Sequence, residues 1–99
     1  MSQPVARKGD SSTGEGPYPP RPNVEASGDV KVNGVGVIRE GDKWAPHNGG
    51  PNGVHKGEIG YTKSGSGTVK ANGKAIARIG DPLVDGDTVA AGSPNVFAG

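Results

Sequence analysis

The sequence predicts an all-β fold of short antiparallel strands and hairpins with pseudo-threefold symmetry, long Gly/Pro-rich loops and no helices of note. Three observations predict it. One segment recurs along the chain, each complete copy contains an Asn-Gly pair between β-favouring residues, and apolar residues nowhere keep the spacing of a helix for long. With 99 residues, the chain is expected to form a single domain, residues 1–99.

The repeated segment is clearest in VKVNGVGVIREGD at residues 30–42 and VKANGKAIARIGD at residues 69–81, which match at seven of thirteen positions. A third copy is split between the ends of the chain. GSPNV at 92–96 restates the front of the unit, and PVARKGD at 4–10 restates its back. Three such units would close around a pseudo-threefold axis, so the two termini are expected to lie close together.

Each complete copy is predicted to form a hairpin. Asn33-Gly34 and Asn72-Gly73 stand between β-favouring residues, and a type I′ hairpin turn needs positive φ at both central positions. The Arg-x-Gly-Asp phrase that follows each hairpin predicts a further turn. The insertions between the units are expected to be loops, and the first of them contains four prolines and should be extended.

The composition indicates a thin core. The chain has 19 Gly and 9 Pro, is 30% hydrophobic and contains no Cys. Apolar burial contributes about 25 cal/mol per Å². Such a core hardly offsets chain entropy without help from a metal or a partner, because disulfides are excluded. No run is long enough to span a membrane, no signal peptide follows Met1, and the charges, which sum to +1, form no basic stripe for nucleic acid.

Three phrases carry a resemblance to a known family: PVARKGD at 4–10, NGKAIARIGD at 72–81 and GSPNVFAG at 92–99. In this order and spacing they resemble the PAAR-repeat family, and the match covers essentially the whole chain. The resemblance implies a small cone of short β-strands that caps and sharpens the end of a trimeric β-helical spike, one copy per trimer. Such spikes belong to contractile injection machines, either type VI secretion systems or contractile phage tails.

The resemblance also implies where the protein acts and what it meets. We expect a structural protein at the tip of a virion tail spike or of a secreted injection apparatus, made in the bacterial cytoplasm without a signal peptide. It would contact the target outer membrane transiently, aid penetration of the cell envelope and bind no nucleic acid. Because the chain ends at Gly99, directly after the last repeat phrase, no fused effector domain is expected.

Members of the family usually hold one zinc ion near the apex of the cone, typically through three His and one Cys, and this sequence departs from that pattern. The first loop has STGEG where one His is common, and Asp85 stands where the Cys is common. The candidate ligands are therefore His47, His55 and Asp85, which would hold one structural zinc or iron ion through nitrogen and oxygen atoms. The alternative is a tip held by loop packing around Trp44 and Tyr18.

The residues expected to dock on the spike are alternating apolar residues in the three equivalent units. They are Val30, Val32, Val69, Ala71, Val96 and Phe97. Catalysis is not expected, because the chain has no Cys nucleophile and no persuasive Ser-His-acid arrangement. The alternative function is an adaptor or metal-binding module that links cargo to the spike.

Overall fold

The computed structural model describes residues 2–14, 19–46, 60–84 and 86–99. These residues contain no helix, so none that could span a membrane, and the all-β prediction is confirmed. Their eight strands are β1 Gln3–Pro4, β2 Lys31–Val32, β3 Val35–Gly36, β4 Lys43–Trp44, β5 Gly60–Tyr61, β6 Lys70–Ala71, β7 Lys74–Ala75 and β8 Phe97–Ala98. They pair antiparallel as β1 with β8, β2 with β3, β4 with β5, and β6 with β7.

Two of the pairs are the hairpins predicted from the Asn-Gly turns. Asn33 has a φ of 56° and Gly34 one of 78°, and the second turn repeats these values at Asn72, 54°, and Gly73, 79°. Asparagine is among the few side chains that tolerate this left-handed backbone, and glycine adopts it without a steric penalty. The type I′ prediction is therefore confirmed in both units.

The third hairpin is built from both ends of the chain. β1 pairs with β8 in the register Gln3↔Ala98 and Pro4↔Phe97. The pair Gln3↔Ala98 corresponds to Val32↔Val35, the pair that flanks the turn of the first hairpin. The prediction that the termini lie close together is confirmed, and the gap between the two ends falls where the other hairpins have their Asn-Gly turn.

A closed cycle of backbone hydrogen bonds joins the three units at the centre. The N–H of Ala6 donates to the carbonyl of Ala77 (2.9 Å), Ala77 donates to Ile38 (2.8 Å), and Ile38 donates back to Ala6 (3.1 Å). All three residues are fully buried. Equivalent residues make the same bond from each unit to the next, as expected for three units around a common axis, so the pseudo-threefold arrangement is confirmed.

Beyond the Arg-x-Gly-Asp turns the chain forms a second closed structure, which we call the loop ring. Six short segments pair in turn, each with a neighbour on both sides, so that among the described residues the ring has no open edge. The pairs in order are Ser11↔Pro22, Asn23↔Trp44, Lys43↔Tyr61, Thr62↔Leu83, Pro82↔Thr88 and Val89↔Ser12.

The core is divided between these two levels. One cluster joins the central cycle to the loop ring and consists of Ala6, Ile38, Trp44, Ala77, Leu83 and Val89. The other lies under the hairpins and consists of Val5, Val37, Ala71, Ile76 and Ala98. Trp44 is fully buried, and its Nε1 donates a 2.9 Å hydrogen bond to Thr62 Oγ1. The indole therefore fills the interior of the loop ring, and its one polar atom is hydrogen-bonded. Tyr18, the other predicted packing residue, lies outside the described residues.

Candidate functional site

The Arg-x-Gly-Asp turns share one hydrogen-bond pattern in all three units, which residues 39–42 illustrate. The N–H of Asp42 donates to the Arg39 carbonyl (3.0 Å), and Gly41 has a φ of 86°, the value that a type II turn requires. Asp42 Oδ2 accepts the backbone N–H of Arg39 (2.8 Å) and its Nε (2.9 Å), while Oδ1 accepts Nη2 (2.9 Å). The aspartate carboxylate of each turn thus holds both the backbone of the turn and the guanidinium of its own arginine.

The guanidinium groups also join each unit to the next. Arg39 Nη1 donates to Asn72 Oδ1 (3.0 Å) and Arg7 Nη1 donates to Asn33 Oδ1 (3.3 Å), both at the hairpin turns of a neighbouring unit. The split unit has no Asn-Gly turn, and Arg78 Nη1 of the preceding unit donates instead to Gln3 Oε1 (3.1 Å). The hydrogen bond to Asp42 raises the pKa of Arg39 above its ordinary value, and the hydrogen bond to Asp81 does the same for Arg78. The stability that comes from this raised pKa is therefore fully present at neutral pH, and it is lost only as the pH rises through the folded-state pKa of the arginine.

A serine at the start of each unit fixes the strand that follows. Ser27 Oγ accepts the backbone N–H groups of Asp29 (3.1 Å) and Val30 (2.9 Å) and donates to Asn72 Oδ1 (2.6 Å). Ser66 and Ser93 make the same backbone contacts in their units. The valine that enters each hairpin is therefore held at an equivalent place around the axis.

The residues predicted to dock lie together on the three hairpins, but they do not all face outward. Val30 and Val69 are each 39% exposed and Phe97 is 54% exposed. Val32 and Val96 are half-buried and pack against the hairpin cluster, and Ala71 is a buried member of that cluster. Whether these residues contact a spike stays a prediction, and the outward-facing members are the ones able to meet a partner.

Two docking candidates were missed by the sequence reasoning. Lys31 and Lys70 are exposed and occupy the register position of Phe97, since their cross-strand partners Gly36, Ala75 and Pro4 are equivalent. Alignment of the three repeats would have found them, because each follows the equivalent valine. A prediction restricted to apolar residues does not include lysines. Together we call Lys31, Lys70 and Phe97 the outer triad.

The outer triad also marks three strand edges that have no backbone partner among the described residues. The carbonyl of Val30 accepts the N–H of Val37 (3.0 Å), so Val30 turns its backbone groups toward its hairpin partner. Because alternate residues of a strand point their backbone groups in opposite directions, those of Lys31 point away from the hairpin. Val69 accepts from Ile76 (3.1 Å) and Val96 accepts from Val5 (3.0 Å), which gives Lys70 and Phe97 the same geometry.

A buried ion pair lies within the loop ring. Arg21 Nε is 3.4 Å from Asp87 Oδ2, and their side chains are 2% and 0% exposed. Arg21 Nη1 also donates to the Ala45 carbonyl (3.4 Å), while Asp87 Oδ1 accepts from Thr13 Oγ1 (2.8 Å). A Cβ added to Gly60 would overlap the guanidinium. The pair thus ties all three loops together, and no sequence signal links an arginine in a Pro-rich loop to an aspartate 66 positions later.

The predicted metal ligands His47, His55 and Asp85 lie outside the described residues. Among the residues that the structure does describe, no group of three or more His, Cys, Asp or Glu could hold a metal ion. The described acid closest in sequence to Asp85 is Asp87, and it is already engaged with Arg21. A metal site would therefore depend on His47, His55 and Asp85 themselves, and it stays a prediction.

One side of the loop ring exposes an apolar row that breaks the threefold pattern. The row consists of Val24, Tyr61 and Val84, and the backbone of Lys43 links the segment of Val24 to that of Tyr61. Val24 donates its N–H to the Lys43 carbonyl (3.0 Å), Lys43 pairs with Tyr61, and Val84 donates to the Tyr61 carbonyl (2.9 Å). Val24, Tyr61 and Val84 are 48%, 40% and 56% exposed. A one-sided feature of this kind suits a partner that binds laterally.

Comparison with known proteins found no matching family model and no matching curated protein.

Proposed function

We propose that this protein is a spike tip of the PAAR-repeat kind, which caps and sharpens the end of a trimeric β-helical spike in a contractile injection machine. The observation that carries the proposal is the surface of the three hairpins that bears Lys31, Lys70 and Phe97, which we call the hairpin face. Three equivalent open strand edges are arranged around one axis within a single chain. A homotrimer presents the same surface three times, so one pseudo-threefold chain is complementary to it in symmetry.

The open edges supply the physical reason for docking. Exposed backbone donors and acceptors at a strand edge pair readily with another chain, and covering them removes an aggregation hazard. The exposed ring of Phe97, which lies at one of these edges, provides apolar surface to bury in the same contact. Docking would also stabilise the tip by mass action, which matters for a chain with so little core.

The opposite end of the molecule suits a mechanical role. Among the described residues the loop ring has every segment paired on both sides, and its interior is tied by the buried pair of Arg21 and Asp87. A closed ring of this kind presents no strand edge to the surface that it meets. We infer that this end leads during penetration and touches the target outer membrane transiently, at the tip of a virion tail spike or a secreted apparatus. No catalysis is needed for this action.

The proposal is tested by co-expressing the chain with a trimeric β-helical spike protein from the same genome. Size-exclusion chromatography with light scattering should show one chain per trimer. Phe97→Asp, on the hairpin face, should prevent the complex. Val84→Asp is the matched control, because Val84 is about as exposed as Phe97 but is hydrogen-bonded to Tyr61 of the loop ring. The proposal fails if wild-type chain and trimer do not associate, or if both variants bind like the wild type.

The lateral row favours a second candidate function, an adaptor that links cargo to the spike. Its members Val24, Tyr61 and Val84 are not needed for a threefold docking contact, yet they expose apolar surface on one side. If the row holds cargo, particles assembled with Val84→Asp should keep the tip but lose a particular effector protein. Unchanged protein content in those particles would remove this candidate.

A further inference from the structure

The outer triad is symmetric in position but not in chemistry. Lys31, Lys70 and Phe97 share one register position in the three hairpins and are all exposed, Phe97 at 54%. Two of the positions therefore present an ammonium group at the end of an aliphatic chain, and the third presents an aromatic ring. Each follows a valine whose backbone is held by the same serine contact. The difference between the units thus lies in the side chains and not in the backbone.

We propose that the spike surface receives the outer triad in three identical amphipathic sockets, each with an apolar wall and a carboxylate rim. This inference rests on the proposed function, because it takes the partner to be a homotrimer. Identical subunits offer identical sockets, so any socket that receives Phe97 must also be able to receive Lys31 or Lys70. The partner then recognises which side chains the triad contains and not which hairpin holds each of them.

One kind of socket can accept both side chains. A lysine can bury its methylene groups along an apolar wall while its ammonium stays at a polar rim. A phenylalanine ring can bury its surface against the same wall and leave the rim hydrated. Because two of the three side chains are cations, acidic groups at the rim give charge complementarity, and a basic rim would repel the face.

The inference predicts what happens when the phenylalanine side chain is moved from one hairpin to another. In the double variant Lys31→Phe/Phe97→Lys the triad keeps its composition of two lysines and one phenylalanine, rotated by one third of a turn. Binding to the spike trimer, measured by calorimetry, should stay within about threefold of the wild type. Phe97→Lys alone should weaken binding about tenfold, because one buried ring is lost. Lys31→Phe alone should bind as tightly as the wild type or more tightly.

Two further measurements complete the test. Raising the salt concentration should weaken wild-type binding, and it should weaken Lys31→Phe/Lys70→Phe much less, since that variant has no ammonium in the triad. Thermal unfolding of every variant should stay close to the wild type, because the triad side chains are exposed and none of them belongs to a core cluster.

The outcomes separate this inference from the proposed function. If the rotated double variant is as weak as Phe97→Lys alone, the sockets are not equivalent and the inference is overturned, while docking itself stands. Equal salt dependence of wild type and Lys31→Phe/Lys70→Phe overturns the acidic rim. If the wild-type chain does not bind the trimer at all, the proposed function fails and this inference fails with it.

Discussion

Asn33 and Ser93 are 60 positions apart in the chain, yet the Ser93 hydroxyl donates a 2.6 Å hydrogen bond to Asn33 Oδ1. The same oxygen accepts Arg7 Nη1 (3.3 Å). Asn33 therefore has two separate tasks. Its backbone adopts the positive φ of the hairpin turn, and its side chain joins its own unit to the neighbouring one. Asn72 repeats both tasks with Ser27 and Arg39.

The two tasks of Asn33 can be separated by substitution. Asn33→Gly keeps a backbone suited to positive φ and removes only the side-chain bonds, so we expect a loss of about 1–2 kcal/mol in the free energy of unfolding. Asn33→Ala should lose about 1 kcal/mol more, because alanine disfavours the left-handed region. Urea unfolding measures both values. Gly28→Ala, which meets no atom within 4 Å, is the neutral control. Equal losses for the two Asn33 variants would contradict the division of tasks.

Much of this fold could be predicted because its signals are visible in the sequence, as local turn residues and as a repeated segment. The Asn-Gly pairs fix the hairpin turns through their own backbone preferences, and the split repeat fixes the threefold closure and the meeting of the termini. The repeat alone does not show whether a side chain such as Ala71 points into the core or to solvent, because this depends on the register of two-residue strands. A slip of one position exchanges the buried and exposed sets, which is why an apolar residue was expected on the docking face and lies in the core.

The features of the loop ring could not be predicted in this way. The pair of Arg21 and Asp87 depends on how three loops of unequal length fold over one another, and the two residues belong to segments with no shared pattern. Burial of an ion pair is a property of the assembled ring and not of either loop. The exposed row through Val24, Tyr61 and Val84 arises likewise from segments that become neighbours only when the ring closes.

The three Arg-x-Gly-Asp turns should contribute unequally to stability. The Asp42 side chain is 2% exposed and that of Asp10 is 14% exposed, and the charged contacts of Asp42 are shorter. Asp42→Ala leaves the Arg39 guanidinium and a backbone N–H without their acceptor in a nearly dry site, at a cost of about 2–4 kcal/mol. Asp10→Ala should cost about 1–2 kcal/mol, since water can replace more of its contacts. Chemical denaturation of the two variants compares them directly, and an equal or reversed order would contradict this ranking.

The buried pair in the loop ring should behave as a coupled unit. Arg21→Met leaves the Asp87 carboxylate buried without its cation, so a loss of about 3–5 kcal/mol is expected. The double variant Arg21→Met/Asp87→Asn should lose less than the sum of the single variants, by about 1–3 kcal/mol. Simple additivity in the double-mutant cycle would show that the two groups do not stabilise each other.

Gly60 gives an independent test of the same guanidinium. A side chain at Gly60 would displace Arg21, so Gly60→Ala should lower the melting temperature by several degrees, about 4–8 °C for each kcal/mol lost. Gly67→Ala is the matched control, because nothing lies within 4 Å of its added Cβ. A melting temperature unchanged in Gly60→Ala would contradict the close packing of Arg21 against this strand.

The predicted metal ion can be tested by elemental analysis of the purified protein, alone and in complex with the spike trimer. If His47, His55 and Asp85 form a site, the wild type should contain about one zinc or iron ion per chain, and His47→Ala/His55→Ala should contain none. A chelator should then lower the melting temperature of the wild type but not of the double variant, because the binding energy of a structural metal is folding energy. A wild type without metal in both samples would contradict the site and leave loop packing to hold the tip.

The pairing of the two ends predicts that the chain can be permuted. β8 and β1 form a hairpin whose last pair, Gln3↔Ala98, matches the pairs that flank the two-residue Asn-Gly turns of the other hairpins. Joining Ala98 to Gln3 through Asn-Gly should therefore complete a third type I′ hairpin. Opening new termini between Asn33 and Gly34 would leave the first hairpin without a closed turn, as the third hairpin is in the wild type.

The permuted chain should fold cooperatively and differ from the wild type by about 1–2 kcal/mol, since one closed turn is exchanged for another. Urea unfolding monitored by the single, fully buried Trp44 reports the transition. Opening the chain at Gly41 instead is the matched control. That cut breaks the turn between Arg39 and Asp42, and it should cost clearly more. A permuted chain that unfolds without a cooperative transition, or that is no better than the control, would show that the three hairpins are not interchangeable.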